Sequence, residues 1–165
     1  MKSSKIALST LSAAVLGFLA LGFASTPAGA ATSQATFNVT ASVAATCSIS
    51  ANPLGFGAYT GVVNNATTTL SVYCTNTTPY NVGLDAGLSG GTVTTRAMKS
   101  GTNTLAYWLY SNAGMTTNWG NTTGSWVAGV GSGSAQTITV YGQIPAAEPM
   151  IIGSYSDTIT ATVNY

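Results

Sequence analysis

Residues 36–51, TFNVTASVAATCSISA, alternate between two kinds of side chain. From Phe37 onward every odd position is apolar or cysteine, and nearly every even position is Thr, Ser or Asn. A period of two residues predicts a β-strand with one buried face. Fully extended, this strand would reach roughly 50 Å, whereas strands in globular domains seldom exceed about 10 residues. We therefore expect either that it bends from one sheet to another or that its first half serves something other than its own domain.

The N-terminus has the features of a secretory signal peptide. Lys2 and Lys5 precede an apolar run over residues 13–24, and Ala28-Gly29-Ala30 supplies the small residues of a cleavage site. The apolar run is too short to span a membrane. We predict a signal peptide at 1–30 and an exported mature chain of one domain, with no direct insertion into a membrane.

The mature chain is nearly free of charge. Its basic residues are Arg96 and Lys99, and its acidic residues are Asp85, Glu148 and Asp157. Nucleic acid binding needs a basic patch that neutralises phosphates, and this composition excludes one. A folded protein with so few charges has little to keep it dispersed, which favours association between subunits.

The sequence contains few residues that could take part in catalysis. The sequence has no histidine, which excludes Ser-His and Cys-His nucleophile pairs and histidine metal sites. A catalytic carboxylate pair needs two of the three acidic residues close together. We therefore predict that the protein is not an enzyme and needs no cofactor or metal. The cysteines, Cys47 and Cys74, are predicted to form one disulfide after export.

The rest of the chain has a strand-and-turn composition, rich in Thr, Val, Tyr, Gly and Asn. Alternation predicts strands at 67–74, 80–86, 92–99, 105–110, 136–144 and 155–165, and residues 129–133 are predicted to be a flexible turn. Short strands with regular turn signals predict an all-β, immunoglobulin-like sandwich.

The last predicted strand reaches the final residue and carries four side chains on one face, Ile159, Ala161, Val163 and Tyr165. A sandwich short of one strand would expose unpaired backbone groups beside an apolar groove. We expect such a groove at this strand.

The order of motifs closely resembles the spore coat protein U domain, the pilin domain of archaic (Csu-type) chaperone–usher fimbriae. The resemblance covers residues 47–165. The matching segments are Cys47, 54–59 (LGFGAY), 72–74 (VYC), 79–82 (PYNV), 96–98 (RAM), 105–110 (LAYWLY), 119–120 (WG), 139–145 (TVYGQIP), 153–159 (GSYSDTI) and 163–165 (VNY).

This resemblance implies an incomplete immunoglobulin-like β-sandwich that lacks its final strand and has an N-terminal donor-strand extension. A periplasmic chaperone would hold the subunit and deliver it to an outer-membrane usher. Neighbouring pilin subunits would then form a homopolymer by donor-strand complementation, as a fimbria on the cell surface that supports adhesion and biofilm formation.

The resemblance implies an N-terminal extension, and we infer its bounds from the alternating stretch: an extension at residues 31–45, with the donor strand at about 36–43, and a pilin domain at residues 46–165. The extension would place four side chains in the groove of the next subunit, Phe37, Val39, Ala41 and Val43. The acceptor groove would be lined by Ile159, Ala161, Val163 and Tyr165.

A second hypothesis is a self-complemented, monomeric surface or spore-coat domain, in which residues 37–43 fold into their own groove. Such a domain would bind a glycan through exposed aromatic side chains, although packing in the core is the favoured role for such residues. The candidates are Tyr107, Trp108, Tyr110, Trp119 and Trp126.

Overall fold

The structure, a computed structural model, describes residues 29–165. The predicted signal peptide, apart from its last two residues, lies outside the described residues. Within the described part the chain is all-β and forms nine strands without a helix. The strands are β1 (Cys47–Ala51), β2 (Asn64–Cys74), β3 (Pro79–Leu84), β4 (Ala97–Ser100), β5 (Asn103–Ala106), β6 (Trp108–Tyr110), β7 (Val127–Val130), β8 (Ala135–Ile144) and β9 (Ala161–Asn164).

The chain divides into two units after Thr40. In the first unit, residues 29–40 are exposed and form no strand. The second unit contains all nine strands. None of the described residues belongs to a helix with the length and hydropathy needed to cross a membrane.

The larger sheet has the strand order β1-β2-β8-β6, and all of its neighbouring strands are antiparallel. Its two central strands pair over ten positions, from Asn64 opposite Ile144 to Tyr73 opposite Ala135. Because successive side chains point to opposite faces, alternation in β2 and β8 turns one set of residues into the core and leaves Thr67, Thr69, Thr137 and Thr139 on the other face. The predicted strands at 67–74 and 136–144 correspond to these two elements.

A second sheet has the order β7-β3-β9, and β4 and β5 pair as a separate two-stranded sheet. The central strand β3 is the most deeply buried element of the second sheet, since Val82 is 0 % exposed. Side chains from all three sheets and from the connections between them form one hydrophobic core. Its buried members are Leu70, Val72, Cys74, Tyr80, Val82, Leu84, Leu105, Tyr107, Leu109, Trp119, Val140 and Ile144.

The alternating stretch at residues 36–51 divides at Cys47, and its first part joins no sheet of its own domain. Only the last five residues of the alternating stretch form a strand, β1, which pairs with β2. Residues 36–46 belong to no strand and are exposed. A strand exists only where its backbone groups have partners, and β2 offers partners to residues 47–51 alone.

The predicted flexible turn at 129–133 is wrong in part, because Val127–Val130 is a strand paired with β3. Gly129 lies against the ring of Tyr80, and a Cβ at this position would be 2.3 Å from Tyr80 Cζ. Glycine here allows close packing of a strand against an aromatic ring. It is not a sign of flexibility.

Three other predicted strands are shorter than expected or divided. Residues 105–110 belong to two strands, β5 and β6, and β4 begins only at Ala97. The strand predicted at 155–165 is confined to Ala161–Asn164. Just before it, the Thr160 N–H donates to the Asp85 side chain, Oδ1, at 2.9 Å. A side chain therefore takes the place of a backbone ladder partner at this point.

Candidate functional site: an open groove between two sheet edges

Two strand edges lie side by side without a strand between them. β1 is the edge of the larger sheet, β9 is the edge of the second sheet, and the two strands are neighbours in space. Within residues 29–165 no strand pairs with the outer edge of either one. An unpaired edge is a template for another strand.

The backbone of β9 has hydrogen-bonding groups free on its open side. The Asp85 N–H donates to the Thr160 carbonyl oxygen at 3.1 Å, which makes these two residues a hydrogen-bonded pair. Such pairs alternate along an antiparallel ladder. Thr162 and Asn164 therefore also face β3, whereas Ala161 and Val163 turn their N–H and C=O groups toward the open edge.

A groove of about 600 Å³ runs between these edges. Its floor is apolar, and its rim includes polar residues from the ends of β1 and from the segment before β9. The floor residues are Leu70, Leu84, Met98, Tyr107, Leu109 and Val140, with Leu54 and Phe56 beside them. An apolar floor beside unpaired backbone is the combination that binds an extended peptide by β-augmentation.

The groove continues into a second cavity of about 620 Å³. Leu54, Phe56, Met98 and Tyr155 line both cavities, which makes them neighbours. The second cavity reaches residues 149–153, beyond the end of β8. The groove is therefore longer than the segment that β9 itself borders.

The predicted acceptor residues have different positions relative to the groove. Ile159 and Ala161 line it. Val163 is half-buried and packs against the core, and Tyr165 is 62 % exposed. The sequence analysis did not assign many of the other lining residues, because they come from six separate strands and from the connections between them.

The predicted donor residues are apolar and exposed. Phe37 is 86 %, Val39 is 83 % and Val43 is 89 % exposed, and Ala41 is also exposed. Directly after this segment the structure contains the predicted disulfide between Cys47 and Cys74, which are opposite each other in the β1–β2 register.

The segment that leads into β9 is fixed by one carboxylate. Asp157 Oδ1 accepts hydrogen bonds from the backbone N–H groups of Leu88, Ser89 and Thr158, each at 2.9 to 3.0 Å. Its other oxygen, Oδ2, accepts a 2.6 Å hydrogen bond from the Tyr107 hydroxyl. Asp157 thus holds the groove rim against the loop that follows β3.

These contacts shift two pKa values. Burial of Asp157 alone would raise its pKa, but hydrogen bonds from the Tyr107 hydroxyl, Thr158 and Ser89 outweigh burial and leave the pKa below its ordinary value. Burial, followed by the hydrogen bond to Asp157, raises the pKa of Tyr107 well above its ordinary value. At neutral pH the pair is therefore a phenol donating to a carboxylate.

Arg96 is a buried cation that backbone carbonyls satisfy. Its side chain is 1 % exposed. The guanidinium donates four hydrogen bonds of 2.8 to 3.1 Å to the carbonyl oxygens of Leu84, Asp85, Val93 and Trp119. Burial lowers its pKa, although the charges of nearby acidic residues act in the opposite direction. The sequence assigned this residue no structural role, and its one signal there is that it is the single arginine of the chain.

Two of the five aromatic residues considered for glycan binding belong to the core. Tyr107 is 3 % and Trp119 is 0 % exposed. The Trp119 indole N–H donates to the Val82 carbonyl oxygen at 2.8 Å, so its polar end is also satisfied inside. Trp108, Tyr110 and Trp126 are half-buried. Of the five aromatic side chains, only these three are accessible to a glycan.

Comparison with known proteins identifies the family. A family model described as the Spore Coat Protein U domain matches residues 33–162. The chain belongs to this family. Protein U of Myxococcus xanthus, a relative of this spore coat protein U domain, is 35% identical over 178 residues, covering 96% of this chain and 99% of that protein. The family predicted from the sequence is thereby confirmed.

A solved structure shares the fold of this spore coat protein U domain. It is a chain in the crystal structure of the CsuC–CsuE chaperone–tip adhesion subunit pre-assembly complex from archaic chaperone-usher Csu pili of Acinetobacter baumannii. The TM-score is 0.58 at 27% identity, and the match covers 74% of this chain and 40% of that chain. This chain therefore spans less than half of the solved one.

Family and structural likeness together confirm the all-β, pilin-like fold. They support a role of the chaperone–usher pilin type. The class to which they point is fimbrial and structural and not a known enzyme family.

Proposed function

We propose that the protein is a structural pilin subunit that polymerises by donor-strand complementation into a surface fimbria. One observation carries the proposal. An apolar groove with a free backbone edge lies beside β9, while the same chain has an alternating apolar segment, Phe37 to Val43, that is more than 80 % exposed at its three large side chains. The groove lacks a strand along its free edge, and the segment lacks a partner for its backbone and its apolar side chains.

The donor strand of one subunit would add to the edge of β9 in the next. Its N–H and C=O groups would pair with those of Ala161 and Val163, and its odd-numbered side chains would cover the groove floor. Burying the four donor side chains is worth roughly 5–7 kcal/mol by typical transfer values. Since the donor belongs to another subunit, each addition leaves a new unfilled groove at the end of the fibre.

The proposed partners follow from the same groove. A subunit with an open apolar groove would aggregate unless the groove is covered. A periplasmic chaperone therefore holds the subunit until, at an outer-membrane usher, the next subunit replaces the chaperone. Export then begins with the signal peptide at 1–30 and ends at the cell surface, where the fimbria supports adhesion and biofilm formation. The solved relative is a chaperone–subunit complex, which supports the chaperone step.

The test uses a subunit without residues 31–43, co-expressed with its chaperone. We expect it to remain soluble on the chaperone and to bind a synthetic peptide of residues 36–43, but to donate to no neighbour and to form no fibres. A peptide carrying Val39→Asp is the matched control and should bind far more weakly. Normal fibres from the truncated subunit would place the donor elsewhere and contradict the proposal.

Peptide binding by the full-length protein distinguishes the fimbrial subunit from the self-complemented coat domain. In a self-complemented coat domain the full-length protein would run as a monomer in size exclusion without a chaperone. Its groove would accept no added peptide until the extension is removed. A fimbrial subunit should instead exchange its chaperone for the peptide at full length.

A further inference from the structure

The exposed large apolar side chains of the pilin domain are concentrated at its two ends. The described residues contain twelve such side chains, of which three belong to the donor segment. Five lie at one end, which we call the groove end: Val62, Val63, Met150, Ile151 and Ile152. Three lie at the other end, which we call the disulfide end: Tyr73, Val130 and Tyr165. Leu88 is the exception.

The strand register establishes that these ends are opposite. At the groove end, Val62 and Val63 directly precede β2, and residues 150–152 follow the end of β8, whose last residue pairs with the first residue of β2. The disulfide end lies at the last residues of β2, next to Cys74. Eleven residues of β2 separate the two ends by about 35 Å.

The remaining disulfide-end residues are located by pairing. Val130 is opposite Pro79, the first residue of β3. Tyr165 directly follows Asn164, which is opposite Asn81 in the same strand. A short turn joins β3 to the end of β2. These side chains therefore lie at the end from which the donor segment departs.

The link between donor segment and pilin domain is very short. Only three residues separate Val43 from Cys47, a span of at most about 14 Å between the two Cα atoms. Cys47 is fixed by its disulfide. Thr46 is fixed as well, because its N–H donates to Thr75 Oγ1 at 3.1 Å and its carbonyl oxygen accepts from the Thr75 N–H at 3.0 Å. A donor segment seated in a groove therefore brings its own domain against the mouth of that groove.

The groove opens toward the groove end. Its second cavity is lined by residues 149–153, which include three of the five exposed side chains of that end. In a fibre that grows head to tail, the acceptor's own extension leaves from its disulfide end. The domain of the donating subunit must therefore lie at the opposite, groove end of the acceptor. The donor strand then runs antiparallel to β9.

We propose that the groove end of each subunit packs against the disulfide end of the subunit that donates to it, as a second, body-to-body contact in the fibre. This inference rests on the proposed function. The occupant is a second copy of the chain, and the contact is heterologous, so it propagates along a fibre instead of closing a dimer. Both surfaces expose large apolar or aromatic side chains. The acidic residue closest in sequence to the patch, Glu148, is occupied by a 3.1 Å hydrogen bond from the Ala106 N–H.

The test compares two variants of the full-length subunit, purified as the chaperone complex and assembled into fibres. The first is Val62→Ser with Val63→Ser, two exposed residues of the groove end that line neither cavity. The control is Leu88→Ser, a side chain that is 78 % exposed and lies at neither end. We expect the double variant to bind the peptide of residues 36–43 within about twofold of the unaltered protein, because a free peptide brings no domain with it. Its fibres should dissociate about tenfold or more faster in denaturant.

Cross-linking locates the contact directly. A photoreactive amino acid in place of Tyr165 should produce a ladder of cross-linked subunits in fibres, with the cross-link at residues 62–63 or 149–153 of the neighbour. One outcome would overturn the contact alone: the subunit binds the peptide, but the groove-end variant changes neither the dissociation of the fibres nor their cross-links. The proposed function would then still stand. Failure of the unaltered subunit to bind the peptide would overturn both.

Discussion

The Tyr107 hydroxyl donates a 2.6 Å hydrogen bond to Oδ2 of Asp157. Tyr107 lines the floor of the groove and contacts Phe56 edge to face, with ring centroids 6.3 Å apart. Asp157 holds the segment that leads into β9, the edge strand. This one contact therefore links the floor of the groove to the strand that would receive a donor.

We expect Asp157→Asn to lower the free energy of unfolding by about 1–2 kcal/mol at pH 7 and to reduce its pH dependence. The pKa of Asp157 is lower in the folded than in the unfolded state. The carboxylate therefore contributes stability that is complete above about pH 4 and is lost as the pH falls through the folded-state pKa. Urea unfolding of both proteins between pH 7 and pH 2 measures the difference. Parallel curves would show that Asp157 does not anchor this segment.

Arg96→Lys should destabilise the protein by about 2–4 kcal/mol, because a lysine ammonium cannot reach four carbonyl oxygens arranged for a planar guanidinium. Lys99, the other basic residue of the described chain, is exposed. Lys99→Met is the matched control, with an expected change within about 0.5 kcal/mol. Thermal or denaturant unfolding decides the matter, and equal stability of the two variants would contradict the role assigned to Arg96.

Gly142→Ala tests the packing beneath the groove. A Cβ at this position of β8 would be 2.6 Å from Leu54 Cδ2 and 2.9 Å from Phe56 Cζ. We expect a loss of about 1–3 kcal/mol in stability, together with weaker binding of the donor peptide, as the two groove-lining side chains shift. Gly55→Ala is the control, since nothing lies within 4 Å of its added methyl group. Unchanged peptide binding by Gly142→Ala would mean that Leu54 and Phe56 do not shape the groove.

Sequence alternation predicted the parts of the fold in which a strand is buried on one face. In residues 67–74 it places Thr68, Leu70, Val72 and Cys74 on one face; Thr68 lines the groove, and the other three are at most 2 % exposed. The same pattern predicted four groove residues near the end of the chain; Ile159 and Ala161 line the groove, whereas Val163 and Tyr165 do not. A period of two can be found in the sequence because it is a local property of the chain.

Contacts between distant residues have no such local signal. Tyr107 and Asp157 are 50 positions apart, and the carbonyl oxygens around Arg96 come from three segments of the chain. Residues 150–152 are apolar and look like core in the sequence, yet Ile152 is 98 % exposed. Alternation before Cys47 predicted a strand that residues 36–46 do not form in this chain, because β2 pairs only with residues 47–51.

The central claim is that residues 37–43 are a donor strand with their odd-numbered side chains inward, and a pair of adjacent substitutions tests it most directly. Val39→Asp would bury an unpaired carboxylate in the neighbouring groove, at a cost of several kcal/mol. Thr40→Asp places the same charge one residue away on the opposite face. Electron microscopy of surface fibres should show none for Val39→Asp, with its chaperone-bound subunit still soluble, and near-normal fibres for Thr40→Asp. Equal assembly by both variants would contradict the claim.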